Sequence, residues 1–447
     1  MRRYVLVVAV LAAIAVPVFL GLVALGSGLV LNMAYDKVAI RLADKMDLAD
    51  GRQGRRILAF GGSNTFFDFR GVDVEAATGL PSINLGTHSG NGLKFLLWQA
   101  EATARPGDIV LLPLEDGYYT EPGITYYGAN VSLAMGADFF RDLPLADKVT
   151  YLRNIHVGRL FKVVGARLDL GDYELEPDWT FPINANGDME APKPPAEQVS
   201  ALIADVSGQR SSRVSLTPEA AATIQEFVAR MKAKDIKFVF SLPGIMENAA
   251  PDAGQVEDLR AQLAALGADF LDLPERGSIP AEMMFDTIYH ASTEGAEVYT
   301  AQLIQALCGS AERLDISCDE ARVRAARDLL KARAERAYLF DASDTLAPLQ
   351  PSGAGSPVIL GPGQTERFLV ASLRGCRSRL EIVAEGDGPL SVRVAGKAMD
   401  DLILSGEPTT GTYMLPDRAG LVPVEILASK VSRVRLTRID RTSRCRR

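Results

Sequence analysis

The stretch Ile57-Leu58-Ala59-Phe60-Gly61-Gly62-Ser63-Asn64 decides how this chain reads. Its four leading residues form a short, continuous apolar run, which predicts a strand buried on both faces. Two glycines follow and permit a sharp turn, with Ser63 standing at the start of a helix. A buried strand that turns directly into a helix opens a βα unit. Such units in series build a parallel sheet covered on both faces.

Outward from this stretch the alternation continues. A helix is expected over 72–78, a strand over 82–85, and a helix over 92–104 with Leu93, Leu96, Leu97 and Ala100 on one face. The third strand, 108–114, is strongly apolar. The rhythm breaks between 121 and 215, which holds a helical patch at 145–168 and the proline-rich Ala191-Pro192-Lys193-Pro194-Pro195. It resumes with a helix at 218–234, a strand at 237–241, a helix at 256–266, a strand at 270–273 and a helix at 293–308. A charged helix over 319–338 reads as a connector. From 357 onward, period-two strands split by glycine turns (368–370, 379–383, 391–394, 422–427, 432–436) predict an antiparallel β-sandwich.

The N-terminus differs from all of this. The chain has 447 residues, 47% hydrophobic and 23% charged, with net charge −8 and mean hydropathy +0.07. That balance excludes disorder, collagen and a disulfide-dense miniprotein. Part of the apolar excess lies between Tyr4 and Tyr35, where no side chain is charged. As one helix this stretch would reach roughly 48 Å, against a hydrocarbon core of about 30 Å. Arg2 and Arg3 directly before it favour a cytoplasmic N-terminus and a body on the far side, periplasmic in a Gram-negative cell. The competing reading is a cleaved signal peptide, with Ala24-Leu25-Gly26 as a small-x-small site. The domain plan is therefore an anchor at 4–33, an α/β domain at 50–310 with an insertion at 121–215, a connector at 319–340 and a β-sandwich at 345–447. A short amphipathic helix at 36–50 joins the first two.

All four cysteines, Cys308, Cys318, Cys376 and Cys445, lie in the last third. In an oxidising compartment, Cys308–Cys318 with Cys376–Cys445 is one of three pairings; four buried thiols is the alternative.

In open α/β sheets ligands bind at the carboxyl ends of the strands, so the residues after each strand matter most. They are Gly61-Gly62-Ser63-Asn64, Gly86-Thr87-His88-Ser89-Gly90, Glu115-Asp116-Gly117-Tyr118-Tyr119 and, after the last strand, Phe285-Asp286-Thr287-Ile288-Tyr289-His290. By itself the first is also an ordinary capped turn. A serine nucleophile needs a base, and the base needs an orienting acid. Of the three histidines, His88, His156 and His290, only His290 has an acid four residues before it, in a loop that can face Ser63 across the sheet.

These blocks resemble those of the SGNH/GDSL hydrolase superfamily over roughly residues 55–308. The resemblance implies a three-layer, flavodoxin-like parallel sheet. It makes Ser63 the nucleophile, His290 the general base and Asp286 its orienting acid, with the backbone N–H groups of Ser63 and Gly86 in the oxyanion hole. Three departures stand out. Gly62 replaces the usual aspartate before the serine. The Asp-to-His spacing is four residues instead of three. Glu115 and Asp116 stand where the family places an oxyanion-hole asparagine, and a carboxylate donates only when protonated. Either Asn64 or Asn91 supplies the third donor, or the site does something other than simple ester hydrolysis. Glu115 and His88 are candidate substrate contacts.

The expected function is a membrane-anchored serine esterase or O-acyltransferase acting on a cell-surface or exported polysaccharide. A membrane-bound protein would be its acyl donor. The resemblance extends loosely to anchored proteins of polysaccharide O-acetylation. The alternative is a non-catalytic scaffold or carbohydrate-binding component of a polysaccharide modification or export complex. Phe368 and Tyr413 are the candidate sugar-stacking residues of the sandwich. The tail over 430–447 carries eight basic residues against Asp440, suited to an anionic polymer or lipid headgroups, or to guarding a strand edge. No nucleic-acid partner is expected at pI ≈ 5.2, and no cofactor or metal, since the histidines are scattered without ligand spacing.

Overall fold

The computed structural model describes residues 1–168, 182–192, 215–247 and 249–339 and, beyond them, 358–360, 365–372, 376–394, 397–399, 401–405, 407, 409–414, 420–428 and 434–445. Helix α1 (Arg2–Gly26) is long and apolar enough to cross a membrane over Tyr4–Gly26. It stops at Gly26, short of the expected 33: Ser27 is extended, and Leu31, only 1% exposed, already belongs to the body. Helix α2 (Ala34–Asp50) follows, packing Val38, Ala39 and Leu42 inward.

The α/β body then runs β1 (Ile57–Ala59), α3 (Ser63–Asp68), α4 (Gly71–Thr78), β2 (Ser82–Asn84), α5 (Leu93–Thr103) and β3 (Ile109–Pro113). After an insertion come a helix at Pro218–Ala233, β4 (Lys237–Ser241), β5 (Ile245–Met246), a helix at Ala253–Ala265, β6 (Asp269–Leu271) and β7 (Ser278–Ile279). A helix at Thr293–Gly309 closes this body. Five strands form one parallel sheet in the order β2-β1-β3-β4-β6. The chain leaves β1 to one side for β2 and returns to its other side for β3. The switch point therefore lies at β1, where ligand crevices form. All residues of β1, β2 and β3 are buried, as their continuous apolar runs in a parallel sheet require. At the opposite, N-terminal edge, Arg56 pairs with Asp108; their side chains are 0% and 1% exposed.

The insertion is mostly helical before residue 169. Four helices, α6 (Tyr126–Met135), α7 (Asp138–Asp142), α8 (Leu145–Arg153) and α9 (Val157–Arg167), join α2 and the end of α1 around a second apolar core. Among its members are Val23, Tyr35, Leu42, Phe95, Phe139 and Tyr151. One ion pair organises this region. The Arg159 guanidinium meets Asp36, and both side chains are 0% exposed. The other Asp36 oxygen accepts the N–H groups of Leu31 (2.9 Å) and Met33 (3.0 Å), which caps α2. Residues 193–214, with most of the proline-rich loop, lie outside the described residues.

The helix expected as a connector, Glu320–Leu339, lies against the α/β body at its start. Ala326 and Leu330 are buried there, and Asp319 donates its N–H to the Ala77 carbonyl (2.8 Å). A disulfide joins Cys308 to Cys318 and fastens this entry. The C-terminal strands are antiparallel throughout. Strand Cys376–Val394 pairs with Val434–Cys445 along one half and with Gly420–Ala428 along the other, and the register sets Cys376 opposite Cys445. The basic side chains of the tail lie outside the described residues.

Arg159→Met strands a fully buried carboxylate, and breaking such a pair costs about 3–5 kcal/mol. Denaturant unfolding of the full chain in detergent should show this loss. The double variant Asp36→Leu, Arg159→Met should recover part of it, since no lone charge then remains inside.

Candidate active site

The loops after β1, β2 and β3 converge at Gly62. A Cβ there would lie 2.7 Å from Glu115 Oε1 and 2.9 Å from Ser89 Cα, so only glycine lets the three loops meet. Ser63 is the first residue of α3, half-buried, where the helix N-terminus favours negative charge. Its N–H has no acceptor within the helix, as geometry dictates for that position.

His290 reaches the same place from a loop 223 residues beyond Asp68. Met284 and Ala291 form a bridge at the loop's base, and the Phe285 N–H donates to the His290 carbonyl (2.6 Å). Met246 in β5 adds an N–H to the Ile288 carbonyl (2.8 Å). The Ala291 N–H donates to Asp68 Oδ1 (2.8 Å). The ring of His290 stacks on Phe67, with centroids 4.2 Å apart and planes 6° from parallel. Ser63 and Phe67 are one helical turn apart in α3; among the described residues no hydrogen bond joins the Ser63 hydroxyl to His290. His290 Nδ1 lies 2.6 Å from Asp286 Oδ1. The four-residue spacing does bring acid and base together. It leaves Nε2 as the nitrogen for a hydroxyl proton.

Glu115 is the second acid of the site. It precedes the short helix Asp116–Thr120, and its Oε1 accepts the backbone N–H of Asn64 (3.3 Å). Burial pushes its carboxyl up to about 7, against the opposing pull of that N–H and of His290. Asp68 is fully buried, and desolvation holds its carboxyl well above the usual range, with Glu115 adding to the rise. The affinity of His88 for a proton is lowered, first by burial and then by His290. Its Nδ1 accepts the Gly90 N–H (2.9 Å), so the ring proton sits on Nε2. Tyr127 stacks on the ring at 4.2 Å.

Three of the oxyanion donors expected from the sequence, those of Gly86, Asn64 and Asn91, are otherwise engaged. The Gly86 N–H donates to Asn84 Oδ1 (3.0 Å). Asn64 is 0% exposed and its Nδ2 donates to the Pro113 carbonyl (2.8 Å). Asn91, 3% exposed, donates to Thr87 Oγ1 (3.0 Å). All three hold loops in place instead of facing a ligand. Beneath them lies Lys45 of α2, which sequence reasoning missed. Its ammonium is fully buried, donates to the Gly86 carbonyl (2.7 Å) and sits over the Phe66 ring, and desolvation depresses its basicity strongly. Asp68 was missed as well. The sequence signal for Phe67 was its i+4 spacing from Ser63; Lys45 and Asp68 carried none.

In the C-terminal region Tyr413 is 5% exposed, so its ring packs inside the sheet and offers no stacking platform. The side chain of Phe368 lies outside the described residues. A separate cleft lined by Lys94, Trp98, Glu101, Phe139, Glu219 and Arg230 contains none of the site residues.

No family model matches the chain, and no curated protein matches it. Among solved structures it is similar to a family 29 carbohydrate-binding module, 12% identical over 21% of this chain and 70% of that one, with a TM-score of 0.17. A family 36 carbohydrate-binding module in complex with calcium and xylotriose is 8% identical over 23% of this chain and 97% of that one, with a TM-score of 0.18. The salicylyl-acyltransferase SsfX3 from a tetracycline biosynthetic pathway is 20% identical over 18% of this chain and 26% of its own, with a TM-score of 0.13. Likenesses this slight carry no argument about what the chain does.

Because the folded state raises the Glu115 carboxyl, it binds a proton that the unfolded chain has released. Stability must then fall as pH rises from the ordinary carboxylate range to about 7, and level off above. Glu115→Gln keeps the acceptor for the Asn64 N–H and removes the titration. Unfolding curves across this range should show a shallower slope for the variant.

Proposed function

We propose that the body is a serine acyl-transfer enzyme, an esterase or O-acyltransferase of SGNH type, acting on a carbohydrate. The observation that carries this reading is the hydrogen-bonded Asp286–His290 pair with its ring stacked on Phe67, one helical turn from Ser63 in α3. The strand order β2-β1-β3-β4-β6 supports a three-layer SGNH-like domain, with its site at the switch point.

Ser63 Oγ attacks the carbonyl carbon of an ester while His290 Nε2 takes the hydroxyl proton, its Nδ1–H held by Asp286. The tetrahedral oxyanion accepts hydrogen bonds from the Ser63 N–H and from a protonated Glu115. Burial is what lets Glu115 serve here, because a carboxyl near pH 7 retains the proton that an exposed one would have lost. Glu115 thus replaces the asparagine of the resembled family. When the intermediate collapses, the C–O bond to the alcohol breaks and His290 returns the proton to the leaving oxygen. Water, or a sugar hydroxyl in transfer, then attacks acyl-Ser63 with His290 as base. The Nε2–H of His88 is a donor for a substrate oxygen.

The apolar α1 supports a retained anchor with the body in the periplasm. Its last turn packs Gly26 against Val163 of α9, and Arg167 donates to the Leu25 carbonyl, so the body holds the end of the helix. An enzyme held at that membrane would meet an exported polysaccharide and a membrane-bound acyl-donor protein.

A serine-directed phosphonate should label Ser63 in the full chain and leave Ser63→Ala unlabelled. Turnover of a chromogenic acetyl ester should disappear in Ser63→Ala and fall about 10²–10⁴-fold in His290→Gln. Unchanged turnover in Ser63→Ala would sink the proposal. Supplying an acyl donor with a glycan acceptor, and weighing the product, separates transfer from hydrolysis. Wild-type rates should decline as pH passes about 7 and Glu115 ionises; Glu115→Gln, still a donor, should lose that decline.

A further inference from the structure

The sequence of α9, Val157–Arg167, contains three basic residues and no acidic one. Its apolar residues form two opposed sets. Leu160 and Val163 are buried in the second core beside Arg159. Val157, Phe161, Val164 and Leu168 recur at helical spacing on the outer face, 61%, 73%, 39% and 61% exposed. On α8, Leu145 and Val149 are likewise exposed, 80% and 53%. A Phe at three-quarters exposure within a four-residue apolar stripe along one helix is not ordinary surface scatter.

The end of α1 lies against this same helix. A Cβ on Gly26 would come within 2.7 Å of Val163 Cγ2. Arg167 donates to the Leu25 carbonyl (3.0 Å), and Lys162 to those of Leu31 (3.1 Å) and Asn32 (3.2 Å). The length of α1 then sets a constraint. A hydrocarbon core of about 30 Å takes about 20 residues, which from Tyr4 reaches Val23. Yet Phe19 and Leu22 already pack on the body, and Val23 is 8% exposed. The freely exposed part of α1, up to Val18, is too short to cross the core alone. The adjoining face of the body must therefore sit at the membrane surface.

We propose that the stripe of α9, with the exposed apolar residues of α8, rests in the interfacial layer of the bilayer that α1 crosses, giving the body a second contact with lipid. A basic helix with an apolar face is suited to that layer, and exposed Arg153 and Arg167 flank the stripe toward anionic headgroups. Continuity with α1 selects lipid over a protein partner. The two contacts fix how the body is tilted. Helix α6 links this surface to the candidate site: it receives the end of α1 through the Gly28 N–H to the Leu133 carbonyl (2.9 Å), and its Tyr127 stacks on His88.

This inference rests on α1 being a membrane span, and the test separates the two. The full chain is reconstituted into vesicles of phosphatidylcholine and phosphatidylglycerol carrying bromine either near the headgroup or at the acyl-chain end. Emission of the two native tryptophans is subtracted. Val10→Trp reports on the span and should be quenched by the deep bromines. Phe161→Trp should lose roughly half of its emission to the shallow bromines and little to the deep ones, as an interfacial residue does. Leu145→Trp gives the same readout from α8 should the first variant fold poorly. Quenching of Val10→Trp with unquenched, water-exposed emission from both stripe variants overturns the inference, keeps the span and leaves the stripe to a protein partner. No quenching at any position overturns the span reading itself.

Discussion

The hydrogen bond from the Ala291 N–H to Asp68 ties the two parts of the candidate site together. It joins the end of the first helix after β1 to the loop that carries Asp286 and His290, between positions 223 apart in the chain. It thereby supports the His290 ring where it stacks on Phe67. The bond needs an acceptor deep in the fold, and the acceptor is a carboxyl removed from water. Desolvation therefore raises its affinity for a proton, and the Glu115 carboxyl nearby adds to that rise. Apolar walls shift both carboxyls upward because neither can be hydrated.

The same logic recurs under the neighbouring loop. Lys45 comes from a helix near the N-terminus, yet it ends beneath Gly86, where desolvation strips its basicity and the Phe66 ring covers it. Asn84 accepts from Lys45 and Gly86 and donates to the carbonyls of Thr65 and Phe69 at the end of α3. One buried amide thus sets the height of the second loop against the first. This network explains why Gly86, a donor offered by the sequence, is occupied by the scaffold; Asn64 and Asn91 are held separately, by the Pro113 carbonyl and Thr87. A donor engaged in a buried hydrogen bond is costly to withdraw.

The strand ends were readable in advance because buried parallel strands are continuous apolar runs, and polar residues after them fall on one edge of the sheet. Ser63, Glu115, Asp286 and His290 became candidates that way, and the structure brings Asp286 to His290 although their spacing is one residue longer than in the resembled family. The insertion was less legible. Its helices are short, and their partner core is shared with α1 and α2, so no local periodicity announces where they pack. Asp36 looked like an ordinary charge on an amphipathic helix; its neutralisation by Arg159 is a contact across 123 residues. Tyr413 looked like a sugar platform and proved to be interior, because a strand pattern alone does not say which face meets solvent.

The sequence by itself determined the apolar N-terminal helix, the βα alternation, the antiparallel C-terminal strands and the residues offered at the sheet's carboxyl edge. Each of these is set by local chemistry: hydropathy over a window, period, and the glycines that let strands turn. Only the tertiary structure decided which polar groups would be spent on holding loops and which would be left to act. It also decided the directions in which burial shifts Glu115, Asp68, Lys45 and His88 and the place where α1 meets the body. Those outcomes depend on desolvation and on partners far apart in the chain, and no stretch of sequence carries either.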